Sequence, residues 1–308
     1  MPIDRLSIHR SAAAILLISA LFAGELRAQC IECDGQGAPR WRGDAISLAV
    51  NSLLGGVTAG VEARVRGKPF GRAFAAGAAG GAVTYAGKRI AVERFGGAGL
   101  LGREVAAVGS SVSRNAAEGR APLERVMLPL GPIRVYVSPL GGAPVTARLD
   151  AAAVVATAYF ATRPGARFDA EESLSAGALV FRRPGSADDL GYEGVQAAGV
   201  VLLRDIPVDG PAGPGFAVDP ARVAAHERVH VLQYDQSFLL WAAPAEKWAM
   251  DRAPWSRGVH RWLDLGTNAA LLAGLGAALP YETRPWEQEA HFLGGTRETG
   301  LDLPGGTP

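Results

Sequence analysis

The hydrophobic pattern divides the chain into a helical first part and a mixed second part. From 44 to 119, apolar residues recur at helical spacing and are interleaved with glycine and alanine. This pattern predicts three helices, over 44–63, 73–92 and 101–117. Glycines between 96 and 99 separate the last two.

Small residues follow one face of the second predicted helix. Ala73, Gly77 and Gly81 are spaced four apart, so they lie on the same side. Such a stripe lets another helix backbone approach closely. The apolar run 73–87 is shorter than the roughly 20 residues of a membrane span. We therefore expect a close-packed helical hairpin, with membrane association through these glycine-rich helices as the alternative.

Beyond Pro122 the pattern changes to short strands and further helices. The predicted strands are 126–130, 133–137, 145–149, 178–182 and 198–203. A helix is predicted over 151–162 with Asp150 as its N-cap, and another from Pro220 with Asp219 as its N-cap. Strands followed by helices predict an α+β fold.

Composition narrows the class of protein. The chain has 308 residues, of which 48% are hydrophobic and 20% charged, which excludes general disorder. The 40 glycines follow no Gly-X-Y period, so collagen is excluded. The net charge is +1 with both signs interspersed, so no nucleic acid partner is expected.

The first residues have the pattern of a secretory signal peptide, predicted over 1–28. Arg5 and Arg10 form a basic start, and the apolar run 12–23 is too short for a standard membrane span. A cleavage site ends at Ala28. The pattern predicts an exported protein, periplasmic or extracellular, and an uncleaved N-terminal anchor is the alternative.

The chain has two cysteines, Cys30 and Cys33, close together after the predicted cleavage site. In an oxidising compartment this pair predicts a small disulfide loop. Two cysteines cannot form a four-cysteine zinc site.

The motif that indicates chemistry is His226-Glu227-Arg228-Val229-His230. Histidines four apart project from one helix face, at a spacing that lets both bind one Zn²⁺. Glu227 is close enough to take a proton from a zinc-bound water, whose pKa falls to about 7. Arg228 departs from the longer zinc-peptidase signature, in which that position is usually uncharged.

A catalytic zinc site needs a third protein ligand. Gln233 and Gln236 occupy the places that the three-histidine pattern requires. A deformylase-like site would need an upstream cysteine near the sheet, and none of the predicted strands contains or adjoins one. Thermolysin-like enzymes place a glutamate about 20 residues further on. Ala249 and Met250 stand there, and Glu246 comes early.

The segment 281–291 offers a better third ligand. Pro285 is expected to begin a short helix that ends at the following glycines. On that helix Glu287 and His291 share a face, while Glu289 points to the other side. Only one of the two glutamates can therefore be a ligand.

His-Glu-x-x-His followed by Glu-x-x-Ala resembles the gluzincin metallopeptidases, especially the CAAX prenyl protease and HtpX-like type. The resemblance is limited to about 226–291. It implies a zincin-like fold, with a small sheet and an active-site helix, in which His226, His230 and Glu287 bind Zn²⁺ and Glu227 is the catalytic base.

For other residues near the motif, the sequence supports less specific predictions. His291 stands where this family usually has an aspartate that supports the ligands, so that role is open. Tyr281 and Arg284 are candidates to stabilise an oxyanion, with capping and packing as the alternative. The resemblance also implies a substrate that pairs with a sheet edge, for which 198–203 is the expected strand.

The sequence therefore predicts a zinc-dependent metallopeptidase that hydrolyses amide bonds in a peptide or protein substrate. The alternative is a non-catalytic zincin-like or membrane-associated structural or binding protein. The expected regions are a signal peptide (1–28), a cysteine-containing linker (29–43), a Gly/Ala-rich helical region (44–122), a zincin-like domain (123–293) and a flexible tail (294–308).

Overall fold

The computed structural model describes residues 40–140, 142, 145–184, 194–205, 220–252 and 256–295. Within these ranges the chain combines helices with two small sheets, consistent with the predicted α+β class. The predicted signal peptide, Cys30, Cys33 and Asp219 lie outside the described residues, as does the tail beyond 295.

The three helices predicted in the glycine-rich region are present, each slightly longer than expected. They are α1 (Arg40–Val65), α2 (Phe70–Ala91) and α3 (Ala98–Glu118). α2 packs against both of the others. By length and composition alone, Trp41–Val65 could cross a membrane, a property that core helices of soluble proteins share.

Glycines on α2 bring its backbone into contact with both neighbouring helices. A Cβ atom at Gly81 would lie 2.1 Å from the carbonyl oxygen of Asn51 on α1. On the α3 side, a Cβ atom at Gly87 would lie 2.4 Å from the amide nitrogen of Ala106. The predicted close packing is therefore present, and it accounts for the glycines at the helix contacts, such as Gly81 and Gly87.

We expect Gly87→Ala to destabilise the protein by about 1–3 kcal/mol, because the added methyl group meets rigid backbone. Gly71→Ala on the same helix is the matched control, since nothing lies within 4 Å of its Cβ position. That change should be neutral or stabilise the helix by up to about 1 kcal/mol. Urea unfolding of the two variants measures both effects. Equal stability of the two would contradict the packing described.

The first sheet has the strand order β1-β2-β3-β8, formed by β1 (Val126–Leu130), β2 (Ile133–Val137), β3 (Thr146–Asp150) and β8 (Leu263–Asp264). β1 and β2 form the predicted hairpin, in which Leu130 pairs with Ile133. α4 (Ala151–Ala161) follows β3 directly. Asp150 accepts a hydrogen bond from the amide of Ala153, so the predicted N-cap is confirmed.

The second sheet has the strand order β4-β5-β7-β6, formed by β4 (Arg167–Phe168), β5 (Leu179–Pro184), β6 (Gly194–Ala197) and β7 (Val200–Asp205). The expectation that 198–203 forms the edge strand is wrong. β7 lies between β5 and β6, and its apolar residues are buried. Gly199, with φ +76°, turns the chain so that the short β6 forms the edge.

The helix that bears the two histidines of the motif is α6 (Pro220–Ser237). The other helices are α5 (Ala170–Ala176), α7 (Ala243–Arg252), α8 (Ser256–His260), α9 (Thr267–Ala278) and α10 (Pro285–Gly294). A π-helical turn, Phe238–Ala242, continues α6, and a 3₁₀ turn, Tyr281–Thr283, precedes α10. Pro285 begins α10 and Gly295, with φ +68°, caps its end, as predicted.

The glycine-rich helices share a core with α6 and α10. Tyr85 of α2 packs in one buried cluster with Val229 of α6 and with Ala290 and Leu293 of α10. A second buried cluster joins α2, α3 and α6 to the second sheet. Because of this shared packing, the glycine-rich helices help to position the helices that carry the predicted ligands.

Candidate metal centre

α6 and α10 bring the three predicted ligands together. His230 Nε2 lies 3.0 Å from His226 Nε2 and 3.1 Å from Glu287 Oε2, and His226 Nε2 lies 3.5 Å from the same oxygen. All three side chains are largely buried. The two histidines share one face of α6, and α10 presents the glutamate to that face.

These separations fit a tetrahedral zinc site. Zinc binds imidazole nitrogen and carboxylate oxygen at about 2.0–2.2 Å, which places neighbouring ligand atoms about 3.3–3.6 Å apart in a tetrahedron. The observed 3.5 Å lies within that range, and 3.0 and 3.1 Å lie slightly below it. Two imidazoles and a carboxylate are also a donor set that zinc commonly has.

Small residues allow α10 to approach α6 this closely. Ala290 is fully buried against Val229. A Cβ atom at Gly294 would lie 2.9 Å from the backbone of His226. The small alanine was expected to allow this packing, and Gly294 adds a backbone contact next to a ligand.

Gln233 orients His230. Its Oε1 lies 2.8 Å from His230 Nδ1, and its Nε2 donates to the carbonyl of Trp286 and to Glu289. With Nδ1 donating to the amide oxygen, the lone pair of neutral His230 is on Nε2, the atom that faces Glu287. Gln233 therefore selects the imidazole tautomer that can bind a metal.

When His230 is protonated on both nitrogens, its Nε2 donates to Glu287, and the carboxylate and the imidazolium stabilise each other's charge. Burial alone would raise the pKa of Glu287, but hydrogen bonds to His226 and His230 bring it well below its usual range. Burial opposes protonation of His230, yet the nearby Glu287 raises its pKa. The centre thus keeps Glu287 ionised, the form that a carboxylate needs in order to bind a metal ion.

Glu227 lies beside the ligands in a tightly enclosed position. It is 6% exposed, and its Oε2 has no hydrogen-bond partner among the described residues. Burial raises the pKa of Glu227. β6 packs against the Glu227 side chain so closely that a Cβ atom added at Gly194 would lie 2.8 Å from Glu227 Oε1. A buried carboxylate with an unpaired oxygen is suited to act as a general acid or base.

His291 and Tyr281 border the same centre. The ring of His291 lies 4.5 Å from that of His226, measured between centroids. One ring nitrogen of His291 is within 4.8 Å of a ring nitrogen of His226 and of a carboxylate oxygen of Glu287. The Tyr281 hydroxyl is 3.4 Å from His291 Nε2. Burial and the charge of Glu287 raise the pKa of Tyr281, so its hydroxyl remains a donor.

Arg284, the other oxyanion candidate, is engaged elsewhere. Its guanidinium donates to the backbone carbonyls of Leu279 and Gly276 at the end of α9. It also lies 5.3 Å from the centre of the Tyr281 ring. These contacts match the capping and packing alternative, with the positive charge beside Tyr281.

Glu289 points away from the ligands, as its helical position predicts. It accepts hydrogen bonds from Lys88 at 2.8 Å, Asn51 at 2.6 Å and Gln233 at 2.8 Å. Burial opposes ionisation of Glu289, but these three contacts lower its pKa. Glu289 therefore attaches α10 to the glycine-rich helices, and Glu287 is the glutamate that faces the histidines.

Arg228, the charged residue that departs from the zinc-peptidase pattern, faces away from the centre. Its guanidinium forms an ion pair with Glu172 of α5 at 2.6 Å and reaches the carbonyl of Ala91. A charged residue is accommodated at this position because it pairs with an acid across a helix interface.

A second group of potential ligands consists of Glu246, His260 and Asp264. Glu246 accepts hydrogen bonds from the amides of Leu265 and Thr267. Arg148 contacts both His260 and Asp264, at 3.1 Å each. A guanidinium between the two ligands disfavours a metal ion, so this group is better described as structural.

Four residues that shape the centre were not predicted as site residues: Asn51, Lys88, Gly194 and Gln233. Gln233 follows His230 by three positions, a spacing that could have suggested a contact. The other three come from distant segments, and nothing in their local sequence marks them.

Comparison with protein-family models, with curated proteins and with solved structures finds no match for this chain.

Proposed function

We propose that this protein is a zinc-dependent metallopeptidase with a gluzincin-like site. The observation that carries the proposal is the convergence of His226, His230 and Glu287, with their ligand atoms 3.0–3.5 Å apart, beside the buried Glu227. The α+β arrangement, in which the helix bearing the histidines packs against a small sheet, supports a zincin-like fold.

When bound, zinc would lower the pKa of a coordinated water to about 7 and polarise the scissile carbonyl. Glu227 accepts the proton of the attacking water and then delivers it to the leaving amine. Gln233 keeps His230 in its ligating tautomer. Tyr281, with its raised pKa, donates a hydrogen bond to the oxygen on which negative charge develops.

The substrate is proposed to be a peptide or protein segment in extended form. β6 is an edge strand among the described residues and contacts Glu227 through Gly194. Addition of a substrate strand to this edge would bring its backbone close to the base. The proposal includes export to the periplasm or the extracellular space, on the basis of the predicted signal peptide.

The second candidate function is a structural zinc site, and His291 is the observation that favours it. A catalytic zinc site keeps one position open for water, whereas a structural site has four protein ligands. His291 is close enough to His226 and Glu287 to be considered as a fourth ligand. The two functions therefore differ in what His291 contributes to metal binding.

Purified protein should hold about one zinc per chain, because three protein donors are already assembled. His291→Ala should keep that stoichiometry, with an affinity within a fewfold of the unaltered protein, if the site is catalytic. Plasma emission analysis and competition with a chromophoric chelator measure both quantities. Absence of bound zinc after zinc-supplemented purification would exclude the centre, and a large loss of affinity in His291→Ala would favour the structural site.

A further inference from the structure

A cavity of about 220 Å³ lies away from the metal centre, between α3, the first sheet and α7. Leu239 in its wall is roughly 20 Å further along the α6 segment than His226, at about 1.5 Å per residue. The cavity has room for roughly seven waters at about 30 Å³ each. Its lining includes five basic side chains, Arg114, Arg120, Arg125, Arg148 and Lys247.

The carboxylates in the lining are already engaged with three of these cations. Glu118 forms ion pairs with Arg114 and Arg120, at 2.5 and 2.6 Å. Asp264 pairs with Arg148 at 3.1 Å and accepts the Tyr136 hydroxyl at 2.7 Å.

Arg125 differs from Arg114, Arg120 and Arg148 in its contacts with carboxylates. Within the part of the chain that the structure describes, it has no hydrogen bond or ion pair to a carboxylate. Its guanidinium lies 4.5 Å from the centre of the Tyr136 ring. Arg148 lies over the same ring at 5.1 Å. Burial lowers the pKa of Arg125, and the positive charges of Arg148 and Arg120 act in the same direction, against the opposing effects of Tyr136 and Glu118.

The position of Arg125 is held by other contacts. Asn115 donates hydrogen bonds to the carbonyls of Pro122 and Arg125, each at 2.8 Å, which attaches this loop to α3. The Tyr136 ring beneath the guanidinium is held by its hydrogen bond to Asp264. A cation beside like charges, with no carboxylate in direct contact among the described residues, is unfavourable, and a bound anion would relieve that repulsion.

The shape of the cavity favours a tetrahedral oxyanion over a carboxylate. The basic groups come from α3, the loop before β1, β3 and α7, so they surround the space from several sides. Phosphate presents three or four acceptor oxygens in different directions, whereas a carboxylate has two in one plane. The guanidinium fork matches phosphate oxygens in bidentate geometry.

We propose that this cavity binds a small ligand bearing a phosphate group, with Arg125 as the principal anchor. The site is separate from the metal centre, so this proposal does not depend on the proposed peptidase activity.

The test is calorimetric titration of the full chain, at constant ionic strength, with inorganic phosphate, phenyl phosphate and citrate. Saturable binding of the two phosphates is expected, and Arg125→Gln should weaken it about ten- to hundredfold. Arg125→Lys should weaken it less. Arg72→Gln, an exposed arginine on α2 outside the cavity, is the matched control and should leave binding unchanged.

Thermal unfolding without ligand separates binding from a purely structural role. Removal of like-charge repulsion should leave the melting temperature of Arg125→Gln equal to or above that of the unaltered protein, while the stabilisation by phosphate is lost. Tighter binding of phenyl phosphate would indicate a phosphate ester as the ligand, and equal binding would indicate free phosphate. Binding of neither phosphate, preference for citrate, or phosphate binding that survives Arg125→Gln would overturn the proposal.

Discussion

Glu227→Gln should abolish hydrolysis and leave zinc binding intact. The amide has nearly the same shape as the carboxylate but cannot accept the proton of the attacking water. Loss of a general base lowers rates by about 10²–10⁴-fold. The measurement is release of fluorescent peptides from labelled casein, together with zinc content of the same samples.

Two features of the structure make this substitution informative. Glu227 Oε2 has no partner among the described residues, so the amide breaks no hydrogen bond there. Burial also raises the pKa of Glu227, so a neutral amide should not lower stability. Glu171→Gln, an exposed glutamate on α5, is the matched control and should keep full activity. Unchanged hydrolysis in Glu227→Gln would rule out its role as the base, whereas loss of zinc would make it a ligand.

Glu287→Ala should lower zinc affinity and Glu289→Ala should lower stability, although the two residues are only two positions apart on one helix. Glu287→Ala removes the proposed ligand oxygen, which lies 3.1 Å from His230 Nε2. We expect zinc affinity to fall by at least about 10²-fold, since two histidines alone make an incomplete site. Chelator competition measures this loss, and the fold should remain intact in circular dichroism.

Glu289→Ala should instead keep zinc in the folded protein and reduce stability. The substitution leaves Lys88, whose side chain is 2% exposed, without its carboxylate partner. Removal of one member of a buried ion pair costs about 3–5 kcal/mol. Urea unfolding measures that loss, and Glu289→Gln should recover part of it by keeping hydrogen-bond acceptance. If Glu289→Ala lost zinc while Glu287→Ala kept it, the ligand assignment would be reversed.

Local sequence was sufficient wherever the determining interactions are local. The hairpin of β1 and β2 follows from two short apolar runs around Gly131, which has φ +58°. The start of α4 follows from the Asp150 side chain, which caps an amide three residues away. The same holds for α10, since Pro285 and Gly295 act on the backbone at their own positions.

The order of strands in the second sheet depends on pairings between distant segments, and here prediction failed. The strand at 198–203 was expected at the edge by resemblance to the gluzincin peptidases, since it precedes the helix that bears the two histidines. Its run of apolar residues, buried in the sheet between β5 and β6, is typical of a central strand. β6 is short and contains Gly194, so its local pattern was too weak to predict a strand.

The sequence by itself predicted which side chains face one another in the candidate metal centre. Spacing of four places His226 and His230 on one face of a helix, and the same rule separates Glu287 from Glu289. These results follow from helix geometry, which is the same in every protein. The sequence also indicated the close helix packing, because glycine and alanine at four-residue spacing leave room for another backbone.

Only the tertiary structure decided which distant groups complete and support the centre. Contacts between α6 and α10 bring Glu287 to the histidines across more than fifty intervening residues. Lys88 and Asn51 hold α10 through Glu289, and Gly194 encloses Glu227. These contacts depend on how whole helices and sheets pack, and packing arises from many small apolar contacts spread over the chain. No single stretch of sequence carries that information.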